Sequence, residues 1–313
     1  MRVMRQLALF SILFFAFSIF SAEFTWETDL DIAKTKAVAE KKDLLIVYLG
    51  KDWDPTSQQL DKDVLSNALF KNAATKNFIC VLVDIPKDET PASKEQFLQY
   101  RAEALKIGLS GFPTIVLMDT KGKVFGINRK FEGSTVIEFC ELLNTLYSTK
   151  ELRDEWLQKA AEATGDDKAT CLNNALVIAA SLGRIFDNWG LFGYEDVMAE
   201  LIKADPTNKA GVSAPWDFRL SSFKARMAFA AKDSAAAMKI FEDLLARYPE
   251  DKLLKQAVYY TEAQFYAGLN DFEKCKEYLR KTVEIDPASR NGKDAAKVLE
   301  EINKVKDKEN AIH

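Results

Sequence analysis

Residues 50–64 read GKDWDPTSQQLDKDV. The run before them, LLIVYLG at 44–50, is continuously apolar and of strand length, which suits a strand buried on both faces. Gly50 and Trp53 then make a short turn. Asp54 and Pro55 open a helix, because a carboxylate before a first-turn proline accepts unpaired amide N–H groups and suits the positive helix end. The order is strand, tight turn, helix, with Asp54 and Ser57 flanking two residues, Pro55 and Thr56.

Similar elements extend on both sides. Residues 30–42 have amphipathic helical spacing, and a helix is expected from Pro55 to about Ala74. NFICVLVDI at 77–85 is a second buried strand. A charged loop, PKDETPASKEQ, leads to an expected helix around 94–106. A strand at 114–119, a turn at Lys121–Gly122, a strand at 123–127 and a helix over 134–147 complete this half. Strands alternating with helices of this length imply an α/β domain with a mixed sheet covered on both faces.

Gly50, Asp52, Trp53, Leu60, Asp63 and Val64 resemble the bacterial thioredoxin-like family whose active site reads Gly-Ser-Asp-Trp-Cys-x-x-Cys. The likeness continues through VLVDIP, a charged insertion and AEALKIGLSGFPTIVLMDTKGKVFG, over about residues 25–147. Gly111-Phe112-Pro113-Thr114 matches the family's Gly-x-Pro-Thr loop. The resemblance implies a cis Phe112–Pro113 bond, in a loop that faces the active-site turn and helps hold substrate backbone.

The departure lies in the chemistry. Matched residue by residue, Asp54 stands at the attacking cysteine and Ser57 at the resolving one. Thiol–disulfide exchange needs an attacking thiolate and a second thiol, and neither a carboxylate nor an alcohol substitutes for them. Active relatives also often carry a buried acid in the strand before the turn, where this chain has Ile46-Val47-Tyr48. The degenerate turn, Trp53, Asp54, Pro55, Thr56 and Ser57, is therefore read as redox-inactive. Asp54 reads as a helix cap or as a ligand or partner contact. Trp53 reads as a peptide anchor or as a cover for the sheet edge.

From about residue 150 the strand pattern stops and 152–307 is periodic at helical spacing. Three helices end alike, at Pro206, Pro249 and Pro287, with spacings of 43 and 38 residues. That self-similarity means stacked helical hairpins. Residues 256–289 resemble a tetratricopeptide repeat through Tyr259, Ala263, Tyr266, Cys275, Leu279 and Pro287. The stretch before follows through Ala225, Ala237, Phe241 and Pro249, and 165–206 follows loosely. The aromatic segment RIFDNWGLFGYEDV at 184–197 breaks the pattern and reads as a loop that packs the two domains together, with Trp189 a candidate binding contact. Such repeats bind peptides and proteins and carry no chemistry of their own.

The expected organisation is a signal peptide at 1–22, a thioredoxin-like domain at 23–148 and a tetratricopeptide-like helical domain at 149–313. Arg2 and Arg5 precede the apolar run LALFSILFFAFSIF, and Ser21-Ala22 offers a cleavage point, though bulky Ile19 or Phe20 would lie at position −3. An uncleaved anchor is the alternative, but the run is short against the roughly 20 residues a span needs. Cleavage points to a periplasmic or secreted protein of a bacterial envelope, with no membrane span after it. It would take the formal charge from −4 to −6 by removing two arginines.

Composition excludes several classes. No basic cluster or nucleic-acid motif occurs. The single histidine is His313, which removes Ser-His-Asp and Cys-His catalysis and the usual imidazole metal sites. Cys80, Cys140, Cys171 and Cys275 lie 60, 31 and 104 residues apart, with no Cys-x-x-Cys pair and no metal spacing. Whether any two form a disulfide is left open. No cofactor and no metal are expected. The expected function is protein binding, as a scaffold or a holdase for extended peptides, and not an enzyme. The alternative is a thiol–disulfide oxidoreductase-related protein using a cysteine outside the motif.

Overall fold

In the computed structural model, the described residues are 24–88, 111–129, 135–181 and 192–310, with Thr90, Lys94 and Leu98 between the first two stretches. Helix α1 (Leu30–Glu40) starts where the Asp29 carboxylate accepts the amides of Asp31 and Ile32, and it ends at left-handed Lys41. Strand β1 (Asp43–Leu49) is buried along its whole length. Helix α2 (Pro55–Leu60) runs into a π-helical turn at Asp61–Leu65, and α3 (Ala68–Asn77) follows. The single helix expected over 55–74 is thus broken at Ser66. There the Asn67 side chain accepts the Leu69 amide and starts a new helix.

Strands β2 (Phe78–Asp84), β3 (Thr114–Met118) and β4 (Val124–Asn128) join β1 in one mixed sheet of order β2-β1-β3-β4. β1 pairs parallel with β2 and antiparallel with β3, and β3 pairs antiparallel with β4. Glu27 adds a one-residue parallel bridge to Val81 at the β2 edge. Apolar β1 lies centrally because both its faces are covered, as its unbroken hydrophobic run requires. The helix expected over 94–106 lies outside the described residues apart from Lys94 and Leu98.

Helix α4 (Val136–Glu162) opens with a reciprocal capping box between Thr135 and Glu138. It runs on well past the expected end at 147, straight through 148–149, because no Gly or Pro interrupts STKELRDEWLQKAAE. Among the described residues seven further helices follow: α5 (Gly165–Ser181), α6 (Glu195–Ala204), α7 (Ser213–Ala230), α8 (Ser234–Arg247), α9 (Lys252–Gly268), α10 (Phe272–Ile285) and α11 (Arg290–Asn310). Asp233, Asp251 and Asp271 each cap the next helix through a side-chain oxygen, which sets the turns of the stack. Trp189 and its neighbours to residue 191 lie outside the described residues.

One apolar cluster runs from the sheet through α4 to α6 and reaches Leu220 of α7. Smaller clusters lie under α7–α9 and under α9–α11. The described chain is an α/β thioredoxin-like half continued by an all-α stack, with the first helices of the stack sharing the core of the sheet.

Candidate functional site

The turn after β1 is set by its backbone. The amides of Trp53 and Asp54 both donate to the Gly50 carbonyl, at 3.2 and 2.7 Å. Gly50 is required because a Cβ there would lie 2.5 Å from the Trp53 ring. β2 supports the turn from beside it: Lys51 N donates to Asp84 Oδ1 at 3.0 Å, and Trp53 Nε1 donates to the Ile85 carbonyl at 2.8 Å. Trp53 keeps 38% exposure, with its ring edge-on to Phe112 at 5.5 Å between centroids. The ring therefore ties the turn, the end of β2 and the loop before β3 together.

Asp54 and Ser57 face one another. Asp54 Oδ2 accepts the Ser57 amide at 2.8 Å and the Ser57 hydroxyl at 2.6 Å. The hydroxyl oxygen in turn accepts the Gly50 amide at 3.1 Å. Ser57 is fully buried and Asp54 half-buried, while Pro55 fills the first helical position and Thr56 is half-buried behind it. Asp54 is thus a helix cap, and it remains only half-buried.

The Phe112–Pro113 peptide bond is cis. Thr114 is buried, its hydroxyl donating to the Gly111 carbonyl at 2.6 Å, and it pairs with Tyr48 across the sheet. Turn and cis-proline loop are thus brought to one end of the sheet, with Trp53 and Phe112 in contact. No thiol is among these residues. The arrangement offers an aromatic surface and a backbone-lined loop, and no group for disulfide exchange.

The four cysteines lie elsewhere as free thiols. Cys80 is buried in β2, and burial pushes its thiol up to about 12. Burial also raises the thiols of Cys140 and Cys275. All three shifts run opposite to what a thiolate nucleophile needs.

A second polar group escaped the sequence reading. Arg153 of α4 is 1% exposed and donates to Asp119 Oδ2 and to the Tyr194 hydroxyl, both at 2.8 Å. The Tyr194 hydroxyl donates on to the Val124 carbonyl at 3.0 Å. Burial works against the Arg153 charge, but Tyr194 and Asp119 outweigh it and hold the guanidinium protonated. Nearby, Lys123 pairs with Asp196 at 2.8 Å, Lys150 pairs with Asp43 at 3.0 Å, and Val124 N donates to the Phe192 carbonyl at 2.9 Å. Gly193 has a positive φ and lies so close to Gly122 that a Cβ would strike its carbonyl. These contacts join the sheet to the helical half around a cleft of about 550 Å³. Two signals mark it in the sequence: the aromatic segment 184–197, read as packing the two domains together, supplies Phe192 and Tyr194, and Leu146, Arg153 and Ala160 share a helix face, where an arginine among apolar residues needs a buried partner.

This junction lies at the opposite pole from the degenerate turn. The turn follows Leu49 at the end of β1, whereas Asp43, at its start, lines the cleft. Seven residues at about 3.3 Å each put roughly 20 Å between the two poles.

Comparison with known proteins agrees with this architecture. Residues 25–120 match the family described as Thioredoxin-like, and residues 257–289 match the Tetratricopeptide repeat. The chain carries a thioredoxin-like domain and a tetratricopeptide repeat. No curated protein matches it. Two solved structures are similar in part. A DsbH Oxidoreductase is 22% identical, with a TM-score of 0.36, covering 40% of this chain and 85% of its own. A thioredoxin from Thermus thermophilus is 21% identical, with a TM-score of 0.30, covering 40% of this chain and 87% of its own. Among the described residues no helix is long and apolar enough to cross a membrane.

Proposed function

We propose that this is an exported, redox-inactive thioredoxin-like protein whose work is to bind other proteins, as a scaffold or as a holdase for extended chains. The observation that carries the reading is the Asp54–Ser57 pair. It fills both cysteine positions with a closed hydrogen-bond set, while Trp53, Phe112 and the cis Pro113 loop keep the shape of a peptide-docking surface. The tetratricopeptide repeat supports the same use, since stacked hairpins present surface to peptides. The described part of the helical half joins at the far pole of the sheet and Trp53 keeps 38% exposure at the turn, so two partners could be held at once. The charged and then apolar N-terminus supports export.

Catalysis through a cysteine outside the motif has little support, since Cys80 is buried with a high pKa and Cys140 and Cys275 are raised by burial. The test is affinity capture of envelope proteins on the mature chain, read by mass spectrometry. One or two stoichiometric partners would mean a scaffold, and a broad set of unfolded clients a holdase. Mixed disulfides trapped through a native cysteine would overturn the redox-inactive reading.

A further inference from the structure

Helix α9 carries a carboxylic acid where its neighbours are apolar. Val258 belongs to the core cluster under α7–α9 and Ala263 to the cluster under α9–α11, and Glu262 stands between them. It is 5% exposed, and its Oε2 has no hydrogen-bond partner among the described residues. A buried carboxylate without a donor is costly, so the group favours its neutral form.

The surroundings do not relieve it. Among the described residues the charges that act on Glu262 are Lys281 of α10, which favours ionisation, and Glu242 of α8, which opposes it. Lys281 is committed elsewhere. Its Nζ is 2.6 Å from Glu277 and lies 4.3 Å above the Tyr278 ring and 5.7 Å from that of Tyr259. Tyr278 stacks on Tyr266 at 5.3 Å and meets Tyr259 edge-on at 5.9 Å, so tyrosine rings pack between α9 and α10, and among the described residues none of their hydroxyls reaches Glu262 Oε2. The Tyr278 hydroxyl is raised by its own burial and then by the Glu262 charge, so it stays neutral alongside.

We propose that Glu262 makes this repeat a pH-responsive element, closed while the carboxyl is protonated and loosened between α8, α9 and α10 when it ionises. The repeat is the one that matches the tetratricopeptide family at 257–289. Burial, the largest influence, together with Glu242, lifts the Glu262 pKa from its ordinary 4.5 to about 7. The folded state then holds a proton that the unfolded chain has lost. The stabilisation is complete below the unfolded value and disappears as pH rises through the folded one. The proposal concerns the fold of the repeat and does not depend on the binding function.

The test is thermal unfolding of the mature chain and its E262Q variant at about pH 4 and about pH 8. Glutamine keeps the shape and removes the proton. The two proteins should melt together at the lower pH, and the variant should melt higher at the upper pH. Equal pH dependence in both, or a variant that melts lower at both values, overturns the proposal. A second measurement needs no variant: hydrogen exchange of wild-type α9 and α10 amides, corrected for intrinsic rate and referred to those of α4. Protection of α9 and α10 should fall relative to α4 as pH rises, and unchanged relative protection overturns the proposal.

Discussion

Asp54 Oδ2 lies 2.6 Å from Ser57 Oγ, so the two positions that the resemblance aligns with a redox pair are joined by a hydrogen bond from hydroxyl to carboxylate. The bond closes a set that includes the Ser57 amide and the buried Gly50 amide. Restoring sulfur at both positions, as D54C/S57C, should give weak disulfide reductase activity in an insulin-reduction assay where the wild type gives none. A well-folded but inert double variant would mean that the turn lacks the proton-transfer surroundings of an active site, as Tyr48 in the strand ahead of it already hints. Asp54→Ala alone should lower stability by about 1 kcal/mol through loss of the helix cap, seen as a lower denaturant midpoint.

Trp53 is where stability and binding separate. Its ring closes over Gly50 and its Nε1 holds the Ile85 carbonyl, yet over a third of it is exposed beside Phe112. Trp53→Ala should sharply reduce capture of extended peptides, read by fluorescence anisotropy, and leave unaffected any partner gripped by the helical half. Trp53→Phe should recover part of the binding, because the aromatic contact returns without the indole donor. Equal affinity in all three proteins would assign Trp53 to covering the turn.

Much of this architecture is legible in the sequence, for local reasons. The apolar run of β1, the Asp54-Pro55 helix start and the Gly-Phe-Pro-Thr loop each declare themselves within a few residues, and the proline-terminated hairpins repeat. Two features are harder to read. The break at Ser66 depends on Asn67 using its side chain as a cap, which competes with an otherwise continuous helical pattern. The junction of the two halves depends on Asp119, Arg153 and Tyr194, which are far apart in sequence and meet only because α4 continues beyond 147. Glu262 is illegible for a related reason: polarity in a helix ordinarily marks the solvent face, and here it does not.

Native thiols give a direct check on the redox-inactive reading. With its thiol near 12 and its side chain buried in β2, Cys80 should resist alkylation in the folded protein and react only on unfolding. Half-buried Cys140 and Cys171 should react sooner, at rates that track local exposure. Mass spectrometry of pulse-labelled protein distinguishes the sites. Rapid labelling of Cys80 in the native state would contradict the burial described and revive catalysis through a non-motif cysteine.

Arg153 decides whether the halves fold separately. Removing one member of a buried ion pair leaves the other charged and unpaired, at a typical cost of about 3–5 kcal/mol. Arg153→Met should therefore lower the denaturant midpoint strongly, since Asp119 stays buried with only the backbone amides of Lys121 and Lys123 to satisfy it. Adding Asp119→Asn should recover part of the loss by removing the stranded charge. Because one apolar cluster spans the sheet and α4–α6, tryptophan fluorescence and far-ultraviolet dichroism should report coincident transitions for that part of the wild type. For the same reason a fragment ending at residue 148 should be much less stable than one ending at 204, since it cuts α4 and discards Arg153, Ala160 and Tyr194. Equal stability of the two fragments would show that the sheet completes its core without α4's second half, and that the Arg153 contacts only join two independent units.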